Sequence, residues 1–177
     1  MTPQRVFLTG EPGCGKTTAV ENTIQFLKDR GKTVGGVVSR EIRENGVRMG
    51  FSLIDVLTNM RGMLAHANQN GGPRVGKYHV NLPDIANIGV AAIERAIAEA
   101  DVIVVDELGP MELKSTAFTA ALRKALVSSK PFLGTIHKRA SHELVNEIKS
   151  KPQFRIIEVT LENRDTLPLE LAERFTS

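Results

Sequence analysis

The 177-residue sequence has one cysteine, Cys14, few aromatic residues and no run of lysines or arginines. A single cysteine excludes an internal disulfide and fits a reducing compartment. No apolar stretch approaches the roughly 20 residues that a helix needs to cross a bilayer. The first residues enter a strand at once, which leaves no room for a signal peptide. The expected location is the cytoplasm, with no membrane partner. Without a basic arm, 23 basic against 20 acidic residues is a slight excess. It suits polyphosphate and nucleic-acid ligands alike and is too small to argue for nucleic acid. His66, His79 and His142 show no metal-ligand spacing. Repeats, low-complexity tracts and linkers are missing too, so residues 1–177 are expected to form one domain.

What is present is an alternation of strands and helices. Arg5–Thr9 reads as a strand, and Lys16–Arg30 as a helix with Val20, Ile24 and Leu27 on one face and Gly31 as its stop. Thr33–Ser39 is a second strand. Asn45-Gly46, between two extended stretches, predicts a β-hairpin inserted after it. Residues 58–83 read as irregular, with a short strand near Lys77–Val80 and a loop at Gly71-Gly72-Pro73. Ile85, Ile88, Ala92, Ile93, Ala96 and Ile97 then recur at helical spacing up to Ala100. Asp101–Leu108 is a continuous apolar run, as a strand buried on both faces should be. A helix over Ser115–Ser128, a strand Phe132–Ile136, a helix Ala140–Ser150, a strand Arg155–Thr160 and a helix Thr166–Phe175 follow. This order predicts an α/β three-layer sandwich with a mainly parallel sheet covered on both faces.

The most specific motif is Gly10-Glu11-Pro12-Gly13-Cys14-Gly15-Lys16-Thr17, which matches G-x-x-x-x-G-K-[ST] at every fixed position. Glycines let the backbone curl until its N–H groups converge on phosphate oxygens. The helix that begins near Lys16 adds its positive N-terminal end to the same anion. Lys16 is expected to reach the β- and γ-phosphates and Thr17 to offer its hydroxyl to Mg²⁺, with Thr18 following in the same turn. Cys14 takes a free position of the loop and reads as a small tolerated side chain.

A magnesium nucleotide needs a carboxylate beyond this loop. Asp106 stands at the C-terminal end of the apolar run V-I-V-V-D-E-L, where ligands of open α/β sheets gather. It is expected to hold Mg²⁺, largely through the ion's waters. Glu107 follows directly, and a twist at the strand end can aim it at the γ-phosphate, where a carboxylate can deprotonate a water for in-line attack. Nucleotide kinases often carry an Asp-Arg-type pair there, so Glu107 leans the reading toward hydrolysis.

With both centres placed, the chain resembles the small nucleoside-triphosphatases of the thermophile NTPase (THEP-type) family. The likeness is carried by F-L-T-G-E-P-G-C-G-K-T-T (7–18), R-E-I-R-E-N-G-V-R-M-G-F (40–51) and V-G-K-Y-H-V (75–80). V-D-E-L-G-P-M-E-L (105–113), L-G-T-I (133–136) and V-T-L-E-N-R-D (159–165) complete it. The resemblance implies a P-loop NTPase fold of the RecA-like (ASCE) class, in which the catalytic glutamate adjoins the Mg-binding aspartate. It also implies Mg²⁺-dependent hydrolysis of ATP, GTP and other nucleoside triphosphates. One departure stands out. The family pattern has G-K-M-E after the acidic pair, whereas Pro110 replaces the lysine here, so any steering of phosphate by that lysine is absent. Glu112 keeps its place or simply begins the next helix.

Further candidates carry two readings each. Thr135, at the tip of L-G-T-I, senses the γ-phosphate or is an ordinary strand threonine; His137 beside it could act likewise or lie on the surface. Arg164 could stabilise transition-state charge or stack on the base, while Glu162-Asn163-Arg164-Asp165 could instead cap the last helix. Arg40, Arg43 and Arg48 contact substrate or partner, or form the solvated face of the hairpin. Two other functions remain open: a nucleoside or RNA-end kinase with an acceptor site near residues 40–83, and a nucleotide-switched binding module.

Overall fold

A computed structural model of the chain describes residues 2–177. Val6, Phe7 and Leu8 form the buried centre of strand β1, Arg5–Thr9. The loop after it enters helix α1, Lys16–Asp29, at Gly15, whose φ of 108° is left-handed backbone that glycine adopts without a Cβ clash. Strand β2, Val34–Glu44, turns at Asn45-Gly46, both with positive φ, into strand β3, Val47–Asp55. The hairpin is therefore not an insertion after the second strand but that strand continued.

Residues 58–83, expected to be irregular apart from a short strand near Lys77–Val80, hold three strands: β4 (Arg61–His66), β5 (Arg74–Val75) and the expected one, β6 (Tyr78–Val80). R-G-M-L-A-H contains no β-branched or aromatic residue, so β4 leaves no strand signal of its own; its pairing with β3 makes it. The helical periodicity from Ile85 is real but interrupted. A single turn α2, Leu82–Asp84, leads through a π-helical stretch, Ile85–Val90, into α3, Ala91–Glu99.

The rest follows the expected order. Strand β7 spans Val102–Leu108, helix α4 Thr116–Val127 and strand β8 Phe132–Ile136. Helix α5, Glu143–Ser150, starts three residues after the expected Ala140, because His142 Nδ1 accepts from the Leu144 amide and caps it there. Strand β9, Arg155–Glu158, and helix α6, Leu167–Thr176, close the chain.

Among the described residues, the strands form one sheet in the order β5-β6-β4-β3-β2-β7-β8-β1-β9. From β2 to β9 all neighbours are parallel; from β2 outward to β5 all are antiparallel. The sheet is thus parallel in one half only, less than the mainly parallel sheet expected, because it extends further in antiparallel fashion than one hairpin. Alternate residues of each central strand face opposite layers. Val6, Leu8, Val102 and Val104 pack with Val20, Leu27 and Leu171 of α1 and α6, while Phe7, Ile103 and Val105 pack with Ile93, Phe118 and Val145 of α3, α4 and α5. The chain is a three-layer α/β sandwich. Gly36 lets β2 lie beside β7, since a Cβ there would come within 1.8 Å of the Val104 carbonyl oxygen, and its φ is 123°.

Candidate active site

The C-terminal ends of four adjacent parallel strands meet in one cavity of about 740 Å³. β1 delivers the Gly10–Thr17 loop, β8 leads to His137 with Thr135 behind it, β7 brings Asp106 and Glu107, and β2 Ser39 and Arg40. Parallel pairing sets these tips level: Leu8 lies beside Thr135 and Val38 beside Asp106. The two sequence motifs are thereby joined in space, with Gly10, Pro12, Gly13, Gly15, Lys16, Thr17 and Thr18 lining the cavity beside Asp106 and Glu107.

Lys16 curls over the loop, its Nζ donating to the Gly10 carbonyl at 2.8 Å and that of Glu11 at 3.4 Å. Cys14 does not line the cavity: its side chain packs on the core, and a Cβ at Gly10 would meet its Sγ at 2.8 Å. Outside the loop, Lys138 Nζ grips Glu11 at 2.7 Å and reaches Glu158 at 3.7 Å. The ion pair and hydrogen bond to Lys138 hold the Glu11 carboxyl below the usual range. No sequence signal marked Lys138, because the contact spans distant parts of the chain.

Asp106 is buried, 6% exposed. The Thr135 hydroxyl donates to its Oδ1 at 2.6 Å, and Thr17 is close enough to lower its pKa. Burial pushes its pKa up; the Thr135 bond, Thr17 and the charge of Arg40 pull against that rise. Thr135 therefore stands one step behind the cavity, fully buried and holding the aspartate. The Ser39 hydroxyl donates to the Asp106 carbonyl oxygen at 3.3 Å.

Glu107 lies where the pairing of β7 with β8 loses register, between Val105 and Leu108. A bulge re-aims side chains, and here it lets Glu107 line the same cavity as Asp106. Burial raises its pKa, the neighbouring Asp106 charge raises it further, and Lys16 lowers it. Beside it is a carboxyl that the sequence left ambiguous. Glu112 is 4% exposed, accepts from the Gly109 amide at 3.1 Å, and lines the cavity. Glu112 Oε2 and Glu107 Oε1 lie 2.8 and 2.9 Å from the point where a Gly109 Cβ would stand. Burial, then the Glu107 charge, push the Glu112 pKa up to about 8. It begins a 3-10 turn, Glu112–Lys114, so its helical position was legible while its inward aim was not.

His137 lines the cavity too, rather than lying free on the surface. Its Nδ1 accepts from the Arg139 amide at 3.2 Å, so the neutral ring carries its proton on Nε2. Burial first, then Lys16 and Arg139, depress its pKa. Asn163 ties the loop after β9, its Oδ1 accepting from the Thr160 amide and its Nδ2 donating to the Glu158 carbonyl, both at 2.8 Å. Arg164 from that loop lies against Gly15, where a Cβ would be 3.3 Å from its Cδ. It stands at the β9 side of the phosphate loop.

The hairpin arginines divide. Arg43 is exposed and pairs with Glu41 at 2.8 Å. Arg40 pairs with Glu21 at 2.8 Å, Arg48 with Glu41 at 3.0 Å, and both line the cavity. Among the described residues no cluster of three or more His, Cys, Asp or Glu side chains could cage a metal. Nor is any helix there long and apolar enough to cross a membrane.

Known proteins resemble the chain over nearly its whole length. The NTPase family pattern (NTPase_1) matches residues 5–172. The nucleoside-triphosphatase THEP1 of Thermofilum pendens is 47% identical over 178 residues, covering 100% of this chain and 98% of the relative. That of Methanosarcina barkeri is 44% identical, with 97% of both chains covered. Among solved structures, the crystal structure of THEP1 from the hyperthermophile Aquifex aeolicus superposes with a TM-score of 0.84 at 33% identity, covering 95% of this chain and 96% of that one. The solution structure of a human cancer-related nucleoside triphosphatase gives 0.80 at 34% identity, with 96% of each covered.

Proposed function

The chain belongs to the NTPase family and is a nucleoside-triphosphatase, and from that premise we propose how its residues divide the work. Gly10–Thr17 grip the β- and γ-phosphates, with Lys16 as the mobile charge. Thr17 and Asp106 face Mg²⁺ with hard oxygen donors, which suit that ion. Bound there, the ion neutralises charge that develops on the phosphate oxygens. Thr135 orients Asp106, and His137 offers Nε2–H to a phosphate oxygen. Glu107 takes the proton of the attacking water: the water oxygen bonds to the γ-phosphorus, the bond to the β–γ bridging oxygen breaks, and NDP and phosphate leave. The observation that carries this reading is the convergence of Asp106 and Glu107 with Lys16 and Thr17 in one cavity, although some ninety residues of chain separate them.

Burial supports the base assignment. A glutamate whose pKa is raised takes a proton near neutrality more readily than a solvated one. Arg164 beside Gly15 supports loose base selectivity including ATP and GTP, because a guanidinium stacks on any aromatic face. We further read residues 1–177 as one domain and place the protein in the cytoplasm, in keeping with its single cysteine.

The test is a panel of ATP, GTP, CTP and UTP with Mg²⁺ and with EDTA, reading free phosphate. Turnover of all four that EDTA abolishes is expected. Undiminished turnover in EDTA overturns the metal assignment, and turnover of one base alone overturns the broad selectivity.

A further inference from the structure

A second cavity, of about 410 Å³, lies at the opposite end of the parallel strands from the phosphate loop. No described residue lines both cavities. Arg5, the first residue of β1, and Phe154, just before β9, form part of it, and α4 and α5 flank it. Leu126 and Ile148 bring apolar surface from the two helices. Phe154 adds a ring whose edge-to-face partner is Phe7, centroids 5.8 Å apart. Val127 also lines the groove and is 83% exposed, the highest value among the large apolar side chains described.

Its charges are unevenly matched. Arg123 donates to both oxygens of Glu147, at 2.9 and 2.8 Å, and Lys151 approaches the same carboxylate at 3.6 Å. One carboxylate thus serves two cations. Arg5, half-buried, meets only backbone carbonyls: Nη1 donates to that of Pro3 at 3.3 Å and Nη2 to that of Ser128 at 2.9 Å. Its Nε is buried without an acceptor. A guanidinium offers five N–H groups in a planar fork, so most of this one's donors are unused. A part-buried cation is costly without a countercharge, and an anion at Arg5 would supply it. A planar carboxylate matches the fork. It also brings less charge onto the neighbouring apolar surface than a phosphate does. The Arg123–Glu147 bridge ties α4 to α5 and bounds the groove, which suits a compact molecule over an extended chain.

We propose that this groove is a second binding site, for a small monocarboxylic acid with an apolar body. The carboxylate accepts N–H groups of Arg5, and the body lies along Leu126, Ile148 and Phe154. The length of β1 separates this site from the phosphate loop, so acid and nucleotide bind the protein together.

The experiment titrates the full chain with octanoate, octanol and acetate by calorimetry. Octanoate is expected to saturate a single site. Octanol, which lacks the charge, and acetate, which lacks the body, should bind at least about ten-fold more weakly. Octanoate that binds no better than octanol, or that never saturates, overturns the proposal. Its affinity should be unchanged in protein loaded with Mg²⁺ and a non-hydrolysable ATP analogue. Loss of binding there overturns the placement, since the acid would then occupy the phosphate cavity. Arg5→Met keeps an apolar stem and removes the charge. Octanoate affinity should fall about ten-fold or more, to that of octanol, while phosphate release from ATP stays within about two-fold. Unchanged affinity would mean that Arg5 only fastens the end of α4, and the proposal fails. Gln153→Trp, at an exposed position lining the groove, narrows it without touching the core or Arg5. Octanoate should bind this variant more weakly, and undiminished binding overturns the proposal even where Arg5→Met does not fold.

Discussion

The parallel half of the sheet, β2 to β9, and the antiparallel half, β3 to β6, bound the same cavity with different materials. Strand tips in the parallel half end in loops and helix N-termini, so their polar groups point along the strands toward one place. Antiparallel strands meet the cavity side-on and contribute faces: Phe51, Leu64, Val75 and Tyr78. Charge is concentrated on one side and shape on the other. The difference separates the polar groups gathered at the strand tips from the apolar surface that shapes the rest of the cavity. Variants in the first half should therefore change rates, and those in the second should change what shares the cavity.

The largest effect is expected at Glu107. Glu107→Gln keeps size and hydrogen bonding but cannot take a proton, so turnover should fall about 10²- to 10⁴-fold while Mg-nucleotide binding persists. Phosphate release and equilibrium binding measured on one preparation separate the two. A variant that turns over at the parent rate moves the base elsewhere. Lys16→Ala should weaken triphosphate binding far more than nucleoside binding, and equal loss for both ligands would count against the phosphate grip. Gly36→Ala breaks the boundary between the halves instead. Its Cβ would sit 1.8 Å from the Val104 carbonyl oxygen at a φ of 123°. Backbone cannot yield as a side-chain tip can, so a drop of several kcal/mol, on the order of the larger single-site effects, is expected in thermal or urea unfolding.

The same division governs what could be read from sequence. Gly10–Thr17 and Asp106-Glu107 were legible as a loop shape and a carboxylate at a strand end, local patterns that the structure brings to one cavity. β4 was hidden because R-G-M-L-A-H is a strand only through its neighbours β3 and β6. Phe51 and Tyr78 were visible as residues, but their meeting depends on pairing across β4. Glu112 was placed correctly along the chain; its inward aim depends on the Gly109 amide that it accepts from. Thr135 was found for its position, yet its partner is Asp106 rather than an open phosphate site. Local chemistry is written in adjacent letters, and long-range packing is not.

Glu112 provides an intermediate effect and a sign. Its folded pKa of about 8 lies above the ordinary 4.5, so the folded state holds the proton more tightly than the unfolded chain does. Its contribution to stability is whole below about pH 4.5 and is lost as pH rises through about 8. Glu112→Gln keeps an uncharged group of the same shape at every pH. The difference in stability between variant and parent should therefore move in favour of the variant from pH 6 to pH 9, by on the order of a few kcal/mol. Chemical unfolding at the two pH values measures it. A difference that does not change with pH would mean that the Glu112 carboxyl titrates like an exposed one.

The smallest stability change is expected on the antiparallel side, at Arg48→Ala. Arg48 pairs with Glu41 across partly exposed side chains, 45% and 41% respectively, and lies over the Phe51 ring. Exposed ion pairs and cation–π contacts contribute about 1 kcal/mol or less each, so unfolding should shift only slightly. Phosphate release should remain within about two-fold, since no group that faces the phosphates is touched. The Tyr78 hydroxyl also loses the Arg48 guanidinium as donor and keeps the Arg48 carbonyl, 3.3 Å away, as acceptor. The ring thus retains one anchor. If hydrolysis instead collapsed in this variant while the fold survived, the aromatic wall and the phosphate site would be one mechanical unit, and the separation of charge from shape would fail where the two halves meet.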